Sequence, residues 1–229
     1  MSEEGYTGRD NLEVMLDARR YNAWLCSLIT RRAAPGSRIV DFGAGAGTFA
    51  RMVRDKGYEV ICVEPDAVLK SQLRSQGFEV FSSVDELPAN TYDLVYTLNV
   101  LEHIEDYQAA LYALRRPLRR GGQLLVYVPT FQVLYSSMDR KVGHFRRYRR
   151  TPLARMVASA GFDVRESCYA DAIGYAASLA YRLSGNNDGT LNPGAIRFYD
   201  TFVFPLSRLA DLVLQKVIGK NALVVGVAR

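Results

Sequence analysis

Apolar residues recur at two different periods along this chain, and the switching between them predicts its elements. Over residues 12–32, Leu12, Leu16, Tyr21, Trp24, Leu25 and Leu28 fall at helical spacing, and Pro35-Gly36 ends the run. Short apolar runs at 38–42, 59–63, 79–81, 92–98 and 123–128 predict buried strands. Helices are expected between them at 48–56, 67–76 and 106–118, the first two stopped by Gly57 and Gly77. After Pro129 the rhythm changes to an insertion, 131–150, rich in aromatics and arginines. Beyond it the pattern predicts a helix to residue 160 opened by Thr151-Pro152, a strand at 162–169 and a helix at 172–183. A loop at 184–194, an amphipathic helix at 202–218 and a strand at 222–228 complete the expectation. Strands and helices alternating in this way argue for a mostly parallel sheet covered on both faces, with the late strands finishing it as an antiparallel edge.

Composition narrows the class without choosing a function. A length of 229 residues suits one α/β domain, and 48% hydrophobic with 23% charged residues is ordinary for a globular protein. The net charge of +5 is too small to argue for nucleic acid. Cys26, Cys62 and Cys168 lie far apart among apolar residues, which argues against a disulfide framework or zinc site and suits the reducing cytoplasm. The opening Met1-Ser2-Glu3-Glu4-Gly5 is wrong for a signal peptide, and no stretch reaches the ~20 apolar residues of a membrane span.

The first strand runs into Asp41-Phe42-Gly43-Ala44-Gly45-Ala46-Gly47. Glycines here let the backbone approach a ligand closely. The spacing is GxGxG, not the GxGxxG of dinucleotide enzymes, and a carboxylate at Asp41 suits a cationic ligand better than a pyrophosphate. Alone, this turn leaves other nucleotides open. Glu64, with Pro65 after it, ends the second strand 21 residues beyond Gly43, placed to accept hydrogen bonds from ribose hydroxyls. That points to an adenosine ligand, and NAD would satisfy it equally.

With Tyr92-Asp93-Leu94-Val95, Leu98-Asn99-Val100-Leu101-Glu102-His103-Ile104 and Leu118-Arg119-Arg120-Gly121-Gly122, these segments resemble the ordered motifs of class I S-adenosylmethionine (SAM)-dependent methyltransferases. Leu98 to His103 and Gly143-His144-Phe145-Arg146-Arg147-Tyr148 are similar to one bacterial branch of methyltransferase domains of type 11/23. Asn11 to Met15 and Tyr21 to Trp24 look like that branch too, whereas Lys220 to Leu223 depart from its usual Pro-Phe-Gly-rich approach. The resemblance implies a seven-stranded Rossmann-like fold, mostly parallel with an antiparallel edge strand. It implies that SAM binds and S-adenosylhomocysteine leaves. Asp41, Gly43, Gly45 and Gly47 would hold the methionine end, Glu64 and Pro65 the ribose, Ser83 and Val84 the adenine, and Asn99 and Val100 the region of the sulfonium. Tyr6, Tyr21 and Asn22 would pack the N-terminal helix over the site. One domain is expected, with a cap region at 1–36, a cofactor core at 37–129, and an acceptor side at 130–229 that also completes the sheet.

For the chemistry, His144 stands in the insertion at the ligand-binding edge of the sheet, as base or substrate-orienting group, or as an organiser of its loop. His103 is a second candidate. Glu102-His103 is similar to part of a metal cluster in some ubiquinone-pathway O-methyltransferases, but Asn99 replaces the acid expected before it, so no metal is expected. Six cations between Arg140 and Arg150 form either a solvated face or an anion-recognising mouth, with Arg147, Tyr148 and Tyr135 as substrate-side candidates. Arg115, Arg116, Arg119 and Arg120 read as complements to a helix C-terminus. The 202–218 helix suits sheet covering or a homodimer more than a membrane anchor. The expected function is methyl transfer to an oxygen or nitrogen of a small-molecule or carrier-linked metabolite. The alternative is a catalytically silent SAM-fold partner of a biosynthetic enzyme. A nucleic-acid methyltransferase is disfavoured because the fourth strand ends Leu98-Asn99-Val100-Leu101 without the [DNS]-Pro-Pro-[YF] signature.

Overall fold

The computed structural model describes residues 14–183, 189–190 and 192–229. Tyr6, Asn11, Leu12 and most of the 184–194 loop lie outside the described residues. Helix α1 (Arg19–Thr30) precedes β1 (Arg38–Phe42), α2 (Thr48–Arg54), β2 (Glu59–Val63), α3 (Ala67–Ser75) and β3 (Glu79–Phe81). Then come β4 (Tyr92–Leu98), α4 (Tyr107–Ala113), β5 (Leu118–Pro129), α5 (Ser137–Lys141), α6 (Arg150–Ser159), β6 (Phe162–Ala170) and α7 (Ala172–Leu183). Helix α8 (Pro193–Phe198), α9 (Phe204–Leu214) and β7 (Asn221–Ala228) close the chain.

The seven strands form one sheet in the order β3-β2-β1-β4-β5-β7-β6. Strands β1 to β5 pair in parallel, and β7 runs antiparallel between β5 and β6. The antiparallel strand therefore lies one place in from the edge, with β6 outermost.

Because strand side chains alternate between faces, each strand feeds two cores. Val40, Val95, Leu124, Val126 and Val128 face one layer with Leu111, Leu153 and Val157 of the helices. Ile39, Leu94, Tyr96, Leu125 and Tyr127 face the other, against Leu25, Leu28 and Ile29 of α1.

Several element ends differ from the pattern, each for a local reason. The helix expected to residue 118 stops at Ala113, since Pro117 has no N–H to continue it, and β5 already begins at Leu118. Arg119 and Arg120 therefore belong to a strand and not to a helix end, and Arg119 pairs with Asp93 at 2.7 Å. Arg116 donates to the Leu87 carbonyl at 2.9 Å. The final helix starts earlier than expected, at Pro193, and passes through a π turn (Tyr199–Val203) before α9. Pro205, without an N–H, cannot complete a regular α turn there.

Candidate functional site

The strand order reverses direction between β1 and β4, the switch point at which open α/β sheets bind ligands beyond their strand C-termini. The glycine turn follows β1. Gly43, Gly45 and Gly47 all have positive φ (79°, 55° and 79°), a conformation costly for a residue with a Cβ. At Gly43 a Cβ would also lie 2.4 Å from Val100 Cγ2, so the turn and the end of β4 are pressed together. Glu64 reaches back across the turn, accepting from the Gly45 N–H at 2.8 Å and the Asp66 N–H at 3.0 Å. Each carboxylate oxygen has room for a second donor. Burial raises the pKa of both acids here, Asp41 to about 7. Two desolvated carboxyls around a glycine turn suit a ligand with a cationic group and a diol. The site therefore fits the donor molecule that the motifs imply.

Non-glycine residues with positive φ follow three strands that end at this edge: Asn99 after β4 (54°), Phe131 after β5 (57°) and Asp171 after β6 (63°). Such backbone costs free energy and concentrates at functional edges. Asn99 is held by its N–H to the Tyr127 carbonyl at 2.8 Å and accepts from Asn221 at 3.3 Å. Tyr21 reaches the same place, its hydroxyl 3.2 Å from that of Tyr127. Asn22 is turned away and donates to the Met15 carbonyl at 2.9 Å. Asn221, Tyr127 and Asp171 escaped sequence reasoning. Only Asn221 carried a signal, in the unusual Lys220-Asn221 approach to the last strand. Pro65 is exposed beside Glu64. Ser83 caps a 3-10 turn, accepting from the Asp85 N–H at 3.2 Å, and Val84 is buried in the core.

The insertion brings a second constellation together. His144 Nδ1 lies 2.7 Å from Asp139 Oδ1, and its Nε2 lies 3.9 Å from Glu102. Arg147 grips the same aspartate with Nε at 2.8 Å and Nη2 at 2.9 Å. Burial works against the Asp139 carboxylate, but His144 and Arg147 hold its pKa below the usual range. An ionised Asp139 only accepts hydrogen bonds, so the neutral form of His144 carries its proton on Nδ1 and has its lone pair on Nε2.

His103 packs edge-on against His144 with ring centroids 4.6 Å apart. Burial, then the neighbouring His144 ring, lowers the His103 pKa to about 4. Glu102 is fully buried, neither oxygen has a hydrogen-bond partner in another residue, and burial raises its pKa to about 8. Among the described residues, Glu102, His103 and His144 also bring donor atoms within 4.8 Å of one another, a spacing that can hold a metal ion. The sequence pointed to two of these donors, Glu102 and His103, and to an acid at the place of Asn99 as the third; His144 from the insertion stands there instead.

Two substrate-side expectations need correction. Arg147 is buried with its fork filled by Asp139, and Tyr148 is buried with its hydroxyl donating to the Leu101 carbonyl at 2.8 Å. Both are committed to the protein. Tyr135 donates to the His144 carbonyl at 2.6 Å, which fixes the histidine's backbone. Arg146 donates to the carbonyls of Ile104 and Glu105 and lies over the Tyr107 ring, so much of the basic run is structural.

Residues 16–167 match the model of a methyltransferase domain. The chain belongs to the SAM-dependent methyltransferase family. A ubiquinone/menaquinone biosynthesis C-methyltransferase of Teredinibacter turnerae is 34% identical over 106 residues, 40% of this chain and 43% of that protein. A ubiquinone biosynthesis O-methyltransferase of Hahella chejuensis is 29% identical over 104 residues, 41% of this chain and 44% of that protein. The chain thus matches less than half the length of these relatives. Among solved structures, the methyltransferase in complex with the Haloferax volcanii Trm112 methyltransferase activator superposes with TM-score 0.67 at 17% identity, over 99% of both chains. A SAM-dependent methyltransferase of Thermotoga maritima gives 0.66 at 18%, over 96% of this chain and 95% of that one. These likenesses show the fold. The cofactor of this methyltransferase domain is SAM.

Proposed function

We propose that this methyltransferase domain moves a methyl group from SAM to an oxygen or nitrogen of a small-molecule or carrier-linked metabolite, with His144 as the base. SAM supplies the activated methyl, which leaves the protein to orient the acceptor and remove its proton. In this reading Asp41, Gly43, Gly45 and Gly47 hold the amino-acid end, Glu64 and Pro65 the ribose, Ser83 and Val84 the adenine, and Asn99 and Val100 the region of the sulfur. Residues 37–129 form the donor side and 130–229 the acceptor side, with 1–36 as a cap.

The observation that carries the proposal is the Arg147–Asp139–His144 chain. Arg147 holds Asp139, Asp139 fixes the His144 tautomer, and Nε2 is left to accept a proton from an O–H or N–H group. Arg147 is a positioning residue here and does not recognise an anionic acceptor. The relatives' names include both a C- and an O-methyltransferase, and the histidine base favours the heteroatom acceptor.

The test follows transfer of labelled methyl from SAM into a bacterial metabolite extract. His144→Ala is expected to slow transfer by about 100-fold while SAM affinity and thermal stability stay as in the wild type. Equal losses of rate and stability would reassign His144 to ordering its loop. SAM binding with no transfer by the wild type would leave the silent partner as the reading.

A further inference from the structure

The C-terminal helical segment is built inside out. Three of its polar residues, Asp200, Ser207 and Asp211, face the protein, where each has a defined task. Asp200 accepts from the Arg20 and Tyr21 N–H groups at 2.9 and 2.8 Å and so caps α1 from the far end of the chain. Asp211 accepts from the Asp171 and Ala172 N–H groups, and Ser207 from Ile173, which together cap α7. All three are buried.

The opposite face carries Phe198, Phe202, Leu206, Leu209, Val213 and Val217, at steps of three or four residues and between 57% and 79% exposed. At 1.5 Å per residue this stripe is about 30 Å long. Leu183 at the end of the adjoining α7 is 76% exposed as well. Apolar patches of this kind on a globular surface mark an interaction site.

Charge decides between the occupants. From Pro193 to Lys220 the only acidic residues are Asp200 and Asp211, both buried, whereas the exposed charges, Arg197 and Lys216, are cationic. Arg197 pairs with Asp17 at 3.0 Å, but exposed Arg19 and Arg20 line the same hollow and keep that end of the stripe cationic, so pairing two copies antiparallel would set Lys216 against a second cationic end. An anionic surface meets no such conflict. Among the described residues no helix is long and apolar enough to cross a membrane, so the segment would lie on one.

We propose that this face docks the domain onto a lipid surface with anionic headgroups, the apolar stripe entering the interface and Arg197 and Lys216 meeting the headgroups. The proposal is independent of which atom is methylated.

Flotation with vesicles of equal phosphatidylglycerol and phosphatidylcholine, against phosphatidylcholine alone, tests it. The wild type is expected to bind the anionic vesicles at least about tenfold more strongly, and less as salt rises. The double variant Leu209→Gln, Val213→Gln should lose about tenfold or more of this binding while binding SAM as the wild type does. Lys216→Glu leaves the stripe intact and should weaken the anionic preference severalfold, which decides the matter if the double variant does not fold. No wild-type binding to anionic vesicles would overturn the proposal. So would a concentration-dependent dimer, seen by analytical ultracentrifugation and abolished by Leu209→Gln, Val213→Gln, since a second copy would then own the face.

Discussion

Asp41 is a buried acid whose desolvation raises its pKa to about 7, and the proposed ligand brings a cation to it. A proton and that cation compete for one carboxylate. Binding therefore releases a proton wherever free Asp41 is protonated, so affinity climbs with pH up to about 7 and then levels. Calorimetric titration with SAM between pH 5 and 7 should show affinity falling by up to about tenfold for each unit below 7. Asp41→Asn should weaken binding and flatten this slope. A slope that survives in Asp41→Asn would place the titrating group elsewhere. Asp139 offers a second case. Truncating it leaves the Arg147 guanidinium buried without its partner, so Asp139→Ala should cost about 3–5 kcal/mol in urea unfolding. A loss under about 1 kcal/mol, the worth of an exposed pair, would contradict the buried geometry.

At this scale the candidate donor-side residues could be named from the sequence because they sit in short, ordered motifs along the chain. Arg147 and Tyr148 were misread because a basic run gives charge and spacing but not direction. Folding turned the Arg147 fork onto Asp139, an acid eight residues away that carried no motif of its own. The closeness of Glu102 and His144 was likewise invisible, since 42 residues and a sheet edge separate them in sequence.

Elements show the same division. Strand and helix positions followed from periodicity, while their ends depended on distant partners. Helix α1 has Ala18 at its N-cap, which offers no side-chain acceptor, and Asp200 supplies one from 180 residues away. Replacing a cap by alanine typically costs about 1–2 kcal/mol. Asp200→Ala should lower the stability to urea by that amount, with the SAM site intact. An unchanged midpoint would mean that the α1 N-terminus does not depend on Asp200. The inverted polarity of α9 could not be read from its moment, because periodicity shows that a helix has two faces without showing which one meets the sheet.

For the whole molecule, the alternation of strands and helices indicated the sheet, and the order β3-β2-β1-β4-β5 puts the glycine turn and Asn99 at one crevice. Position within the sheet came from the tertiary fold alone: β7, last in the chain, inserts between β5 and β6. That insertion brings Asn221 against Asn99 and ties the start of the last strand to the end of β4. Fold does not fix the reaction. The donor site, and not the fold, carries the proposed activity. Its most direct test is isothermal titration of the wild type and Glu64→Gln with SAM and S-adenosylhomocysteine at pH 7.5. One molecule of either should bind per chain, and Glu64→Gln should weaken both by about tenfold or more through the lost charged hydrogen bonds to the ribose. No heat of binding from the wild type with either compound, under conditions where the protein is folded, would contradict it.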